Sequence, residues 1–252
     1  MPKIAAIIEA RSNSTRLPKK ILLKVNKRTI LEYLINKLKK SKNLDQIILA
    51  TTTNKEDDPI VKIAQKLKVS FFRGDENNVL KRVIDASKFF KVETIVRITS
   101  DCPLVDINLV DQFINIFENN KVDIVSNAQI RSYPDGMDIE VINSKSLKKS
   151  YKFARSNYLR EHICLTIYQK KKLFKICNIV ALTNEFFPNL SLTIDHYNDY
   201  ILIKKIIKHC EKIKKDLNCS EIIKLVYKNK WQKINNTANR LIHKEYTYKK
   251  NK

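Results

Sequence analysis

The chain has 252 residues, 43% hydrophobic and 30% charged, which is enough apolar chain to bury a substantial core and excludes both intrinsic disorder and a mini-protein. Lys and Arg number 49 against 26 Asp and Glu, a formal charge of +23 with the 4 His neutral. No apolar run approaches the roughly 18 residues of a membrane span. The short apolar stretch after Met1-Pro2-Lys3 does not make a signal peptide, so a cytoplasmic protein without a transmembrane segment is expected.

Short apolar runs alternate with amphipathic stretches from the N-terminus onward, the pattern of a parallel sheet covered by helices. A buried strand is predicted over 4–8, then, after an irregular polar segment, a helix over 30–40 and a strand over 46–51. The alternation repeats with helix 58–67, carrying Pro59 in its first turn, strand 69–72, helix 79–90 and strand 94–99. Beyond that point the order changes to helix 108–117, strand 122–125, a Tyr133-Pro134-Asp135-Gly136 turn and an alternating strand over 138–142. Helices over 146–153 and 157–169, strands over 173–176 and 192–194, a long helix over 199–213 and a last helix from Ser220 complete the pattern. The expectation is an α/β fold with a mostly parallel mixed sheet flanked by helices. It occupies one domain over 1–230, followed by a basic tail over 231–252.

The charge is uneven, with 15 Lys and Arg against 4 Asp and Glu between Ile201 and Lys252. These lysines alternate with Ile and Asn in a chain with only 2 glycines, a bias that genome-wide drift produces. No base-reading aromatic motif accompanies them, so no specific nucleic-acid partner is expected. The 5 cysteines form no CxxC pair and no zinc-ligand spacing with His, which points to reduced thiols; Cys102 alone lies beside other polar residues.

In an open α/β sheet ligands sit beyond the C-terminal strand ends, so chemistry is first sought in the loop after Ile8. Its residues Ala10-Arg11-Ser12-Asn13-Ser14-Thr15-Arg16-Leu17-Pro18-Lys19-Lys20 hold 2 arginines, 2 lysines and 3 hydroxyl side chains in 11 positions. Backbone N–H groups with guanidinium and ammonium groups around them can cradle polyphosphate oxygens. Neither GxxxxGK[ST] nor GxGxxG is present. A second polar cluster, Arg97-Ile98-Thr99-Ser100-Asp101-Cys102-Pro103, ends the strand predicted over 94–99. Asp101 there could hold Mg²⁺, which takes one or two carboxylates plus phosphate oxygens and water, or it could cap the next helix, a role Asp106 fits as well. Leu192-Thr193-Ile194-Asp195-His196-Tyr197-Asn198-Asp199 again runs a strand into acids, with Asp195 the natural second ligand and Asp199 open to either metal contact or helix capping. Asp101 and Asp195 stand 94 positions apart, so spacing alone gives no contact.

The loop matches, through Arg11, Ser14, Arg16, Leu17, Pro18 and Lys20, the R-x-x-S-x-R-L-P-x-K signature of sugar-nucleotide cytidylyltransferases, whose usual glycine before the last lysine is Lys19 here. Arg73-Gly74-Asp75-Glu76, Arg97–Leu104, Tyr133–Val141 and Arg160-Glu161-His162 add a resemblance to the spore-coat polysaccharide biosynthesis protein F branch of that superfamily. The resemblance implies the Rossmann-like nucleotide-diphospho-sugar transferase fold. It implies CTP and a small-molecule acceptor, an acidic sugar or another hydroxylated or phosphorylated compound, as partners, Mg²⁺ as cofactor, and a homodimer. Ala10, Arg11, Ser14, Arg16, Lys20, Arg73, Gly74, Ser100 and Asp101 would then bind nucleotide, with Arg11, Lys20 and Asp101 catalytic. Asp101 and Asp195 would hold the metal, and Asp135, Asp138, Glu140, Arg160 and His162 the acceptor. The competing enzyme expectation on a similar fold is a glycosyltransferase using a nucleotide sugar. Its usual D-x-D motif is matched only loosely by Asp138-Ile139-Glu140.

Overall fold

The computed structural model describes residues 3–235. In chain order the strands are β1 (Ile4–Glu9), β2 (Lys24–Val25), β3 (Arg28–Thr29), β4 (Gln46–Thr52), β5 (Ser70–Gly74), β6 (Thr94–Arg97), β7 (Ile124–Ser126), β8 (Glu140–Asn143) and β9 (Ile176–Asn178). The helices are α1 (Ile30–Leu38), α2 (Asp58–Lys66), α3 (Val79–Phe89), α4 (Ile107–Glu118), α5 (Ser144–Tyr151), α6 (Asn157–Glu161), α7 (Leu165–Gln169), α8 (Tyr197–Ile213) and α9 (Cys219–Lys228). Seven strands make one sheet in the order β5-β4-β1-β6-β8-β7-β9, while β2 and β3 form a separate small ribbon. Within the seven-stranded sheet all pairings are parallel except those of β8, which runs antiparallel to both β6 and β7.

The central strand shows why such a sheet forms. Residues 4–8 of β1 are buried on both faces and alternate between two cores. Ile4, Ala6 and Ile8 face a cluster built with α1, α2, α4, α8 and α9, whereas Ala5 and Ile7 face a second cluster built with α3, α5 and α7. An apolar run buried on both sides is what a parallel strand between helical layers needs. After β1 the chain builds β4 and β5 to one side of it and then places β6 on the other, so the connections diverge between β1 and β6. Such a switch point opens a crevice at the C-terminal strand ends.

Helix starts follow the local chemistry. Thr29 and Glu32 form a reciprocal capping box on α1, Asn78 caps α3, and Asn218 with Glu221 caps α9. Asp106 accepts from the Asn108 N–H at 2.9 Å and caps α4, which leaves Asp101 outside any cap.

Three expectations are corrected. The helix expected over 157–169 is two short helices, because the chain turns out of helical geometry at His162. The strand expected over 192–194 reduces to a single parallel bridge, Asp135 to Ser191, with Leu192 donating to the Asp135 carbonyl at 2.6 Å. Residues 231–235, placed in the tail by composition, pack against the domain: Trp231–Lys233 forms a 3-10 turn, and Asn235 is buried. The remainder of the expected tail, 236–252, lies outside the described residues.

Candidate active site

The loop after β1 is fixed from below. Ala10 donates its N–H to the Ala50 carbonyl at 3.1 Å, and the Ser12 N–H donates to the buried Asp57 carboxylate at 2.6 Å, whose other oxygen accepts from Thr52. The Ser12 carbonyl then accepts from both the Ser14 and Lys19 N–H groups. Lys19 itself adopts φ 56° and ψ 25°, the left-handed region. A glycine, the usual residue of the signature at this position, is at ease there, and a lysine is strained by roughly 1 kcal/mol.

This geometry delivers Lys20 to two carboxylates. Its Nζ donates to Asp101 Oδ2 at 2.5 Å and to Asp195 Oδ1 at 3.0 Å, and Arg16 donates to the same Asp195 oxygen at 2.7 Å. Asp101 follows β6 and Asp195 precedes α8, and hydrogen bonds between their segments join them. The Ile194 N–H donates to the Asp101 carbonyl at 3.1 Å, and the Thr193 hydroxyl reaches the same carbonyl at 3.5 Å. Burial raises the Asp101 pKa, but the Lys20 ammonium outweighs it and holds the carboxyl below its ordinary value. Burial likewise lowers Lys20, and the two aspartates more than reverse this.

Two carboxylates from distant parts of the chain thus converge on one cation. That is the donor set a hard divalent ion takes when phosphate oxygens and water complete its shell. No group of three or more His, Cys, Asp or Glu that could hold a metal occurs among the described residues. Asp199 takes the helix-capping role. Its buried carboxylate accepts from the Asp195 and His196 N–H groups at 3.1 and 2.8 Å and closes the start of α8.

Arg11 pairs with Glu161 of α6 at 3.1 Å, linking the basic loop to the Arg160-Glu161-His162 segment. Arg160 donates Nε to the Ala154 carbonyl, and the His162 ring lies 4.4 Å from that of Tyr158. Ser100 is buried beside Asp101, and Ser14 is half-buried in the loop. Arg73 braces the end of β4, donating to the Thr52 and Asn54 carbonyls and to Asp58, and Gly74 lies over Arg82, whose Cγ would be 3.0 Å from an added Cβ.

Asp138 and Glu140, expected to share one pocket, part company. Glu140, 2% exposed at its side chain, is held by Arg97 and Tyr168 inside the sheet, with Glu9 on the same arginine. Asp138 instead joins Asp135 on Arg131, at 3.3 and 3.2 Å. Burial carries the Asp138 carboxyl up to about 7 against the pull of Arg131, with Asp135 and Glu140 adding to the rise. Gly136, at φ 101°, lets this turn lie against Leu192, whose carbonyl carbon would be 2.6 Å from any Cβ. Arg131 and Asp57 escaped the sequence expectations, and Glu161 entered them only as part of a motif, with no role of its own. Only the four-residue spacing of Arg131 to Asp135 hinted at one of them.

A cavity of about 230 Å³ between α1 and α8, lined by Tyr33, Lys37, Leu104 and Cys210 among others, contains none of these groups. Convergence of charge rather than enclosed volume marks the site.

A family model described as cytidylyltransferase matches residues 5–244. An uncharacterized protein of Methanocaldococcus jannaschii is 41% identical over 227 residues, 90% of this chain and 91% of its own length. The spore coat polysaccharide biosynthesis protein SpsF of Bacillus subtilis is 30% identical over 234 residues, 91% of this chain and 96% of its own. The solved structure of a cytidylyltransferase from Leptospira borgpetersenii superposes with a TM-score of 0.89 at 33% identity, covering 95% of this chain and 100% of that one.

Proposed function

The chain belongs to the cytidylyltransferase family, and from that premise we propose that it joins CTP, with Mg²⁺, to an acidic sugar or a similar hydroxylated or phosphorylated acceptor in glycan biosynthesis, releasing pyrophosphate. The observation that carries this reading is the meeting of Asp101 and Asp195 on Lys20, with Arg16 alongside. The name of the Bacillus subtilis relative supports a polysaccharide setting.

In this reading Arg11, Arg16 and Lys20 leave Glu161, Asp195 and Asp101 and take the β and γ phosphate oxygens. Those cations already stand together around one loop, so binding exchanges carboxylate partners for phosphate partners without assembling the site anew. Asp101 and Asp195 would hold Mg²⁺, which would supply Lewis-acid polarisation of a phosphoryl oxygen and neutralise charge in the displacement. The acceptor hydroxyl attacks the α phosphorus in line, and the same arginines and lysine stabilise the departing pyrophosphate. Asp135, Asp138, Arg160 and His162 hold the acceptor, while Glu140 fixes the wall behind them through Arg97. Arg73 and Gly74 shape the nucleotide side by bracing β4 and covering Arg82. A homodimer belongs to the same proposal.

The test is pyrophosphate release with Mg²⁺ and each of the four ribonucleoside triphosphates, against sialic-acid-like sugars, octulosonates, phosphonates and phosphorylated polyols. Acceptor-dependent release with CTP alone is expected, and Arg11→Ala should lower turnover about 10²-fold, with Asp101→Ala at least as damaging. Near-normal transfer by either variant would overturn the site assignment. Release of nucleoside mono- or diphosphate from a nucleotide sugar would move the assignment to a glycosyltransferase.

A further inference from the structure

We propose that Asn235 is a positioning residue for Asp195, acting from the C-terminal end of the described chain through the carboxylate of Asp199. The inference rests on the reading of Asp195 as a metal ligand. Asp195 is not carried by a strand: the segment before it has one bridge, at Ser191, and then bends into α8. Its carboxylate must nevertheless stand beside that of Asp101, and once Lys20 and Arg16, which pair with it here, turn to phosphate the two like charges repel. Something outside a β-ladder has to hold it.

Asn235 reaches both ends of that segment. Its Nδ2 donates to the Ser191 carbonyl at 3.0 Å and to Asp199 Oδ1 at 2.8 Å. The other Asp199 oxygen accepts the backbone N–H groups of Asp195 and His196. Asp199 is fully buried and Asn235 is 5% exposed, so these bonds are made away from water, where the loss of a hydrogen bond costs most. The route by which the chain arrives is also built. Lys230 turns at φ 57° after α9, and Trp231 sits against α8 with its ring 6.5 Å from that of His209 and under the Lys205 ammonium at 5.6 Å. The strap 231–235 therefore clamps the start of α8 and, through it, the position of Asp195. Partners that orient a metal ligand from behind commonly change metal affinity 10- to 100-fold when removed.

The experiment compares wild type, Asn235→Ala, Asn235→Ser and Asp195→Ala by two readouts that need no acceptor. One is Mn²⁺ binding in the presence of CTP, followed by electron paramagnetic resonance. The other is amide hydrogen exchange at residues 195–199 against β4 as an internal standard of folding. The expected result is a Mn²⁺ affinity about tenfold weaker in both Asn235 variants, with faster exchange at residues 195–199 and unchanged protection of β4. Wild-type Mn²⁺ affinity in Asn235→Ala and Asn235→Ser, where Asp195→Ala loses it, would overturn the positioning role. Loss of β4 protection in both Asn235 variants would also overturn it, since the residue would then support the whole fold. If Asp195→Ala binds Mn²⁺ like wild type, the reading of Asp195 itself fails and the role of Asn235 falls with it.

Discussion

Lys19 and Asp138 are each held in a state their residue type resists, and each state has a measurable consequence. Lys19 keeps a left-handed backbone because its N–H must reach the Ser12 carbonyl for Lys20 to meet the aspartates. Lys19→Gly relieves that strain but gives the unfolded chain more freedom, two terms of opposite sign near 1 kcal/mol each. We expect stability to rise by between zero and about 1 kcal/mol in urea unfolding, with turnover kept. A loss above about 1 kcal/mol would show that the lysine side chain itself holds the loop. For Asp138 the folded carboxyl titrates near 7, above its ordinary 3.8, so between those values the native state binds the extra proton. Its contribution to stability therefore declines as pH rises through that window. Asp138→Asn should gain on wild type by at least about 1 kcal/mol when both are moved from pH 5 to pH 8, a conservative figure given the partial exposure of the side chain. Parallel stability profiles would remove the shift. Of these residues the sequence marked Asp101 and Asp195 by their place at predicted strand ends, yet their contact depends on the hydrogen bonds of Ile194 and Thr193, which no spacing encodes. Arg131 stayed hidden for a related reason: an arginine in an irregular segment looks solvent-facing until the turn at Gly136 folds two aspartates onto it.

Helix ends in this chain are closed largely without glycine. Lys68 after α2, Lys91 after α3, Lys214 after α8 and Lys230 after α9 all take φ between 52° and 57°. That is the conformation in which helices usually finish on glycine. The lysines recover part of the strain because a positive charge at a helix C-terminus meets the negative end of its dipole. Lys91→Gly and Lys230→Gly should each therefore change stability by less than about 1 kcal/mol, and together additively, since they end separate helices. A strongly non-additive double variant would mean the two ends are coupled. Periodic apolar faces announced α1 to α5 to within a few residues, because burial against the sheet dictates them. The stops expected at 67, 90 and 213 fall within one residue of the ends of α2, α3 and α8, so apolar periodicity located them even where lysine replaces the glycine that normally signals a stop. The break between α6 and α7 and the loss of a ladder at Leu192–Ile194 had no local signal, since apolar residues can be buried in an irregular segment as well as in a strand.

Over the whole molecule, net charge and apolar exposure pull in opposite directions. Ile130, Val180, Leu182 and Phe186 are 58%, 51%, 74% and 52% exposed, and hydrogen bonds of Ile130 with Asn178 and of Ala181 and Phe187 with Ser132 draw their segments together beside the edge strand β9. Large apolar side chains gathered next to a strand edge that is unpaired among the described residues are costly to leave in water and suit a second copy of the chain. A charge of +23 on each copy opposes that association through mutual repulsion, which salt screens. The proposed homodimer should accordingly strengthen as ionic strength rises from about 0.02 to about 0.2 M, where the Debye length falls from roughly 20 to 7 Å. Light scattering across a concentration series should then give twice the chain mass at the higher salt. Ile130→Asp combined with Leu182→Asp should return the monomer at every salt concentration while lowering the net charge, so that simple relief of repulsion predicts the opposite change. A double variant that dimerises like wild type would place the contact elsewhere. Binding that weakens with salt would show that charge pairing rather than this apolar face joins the copies.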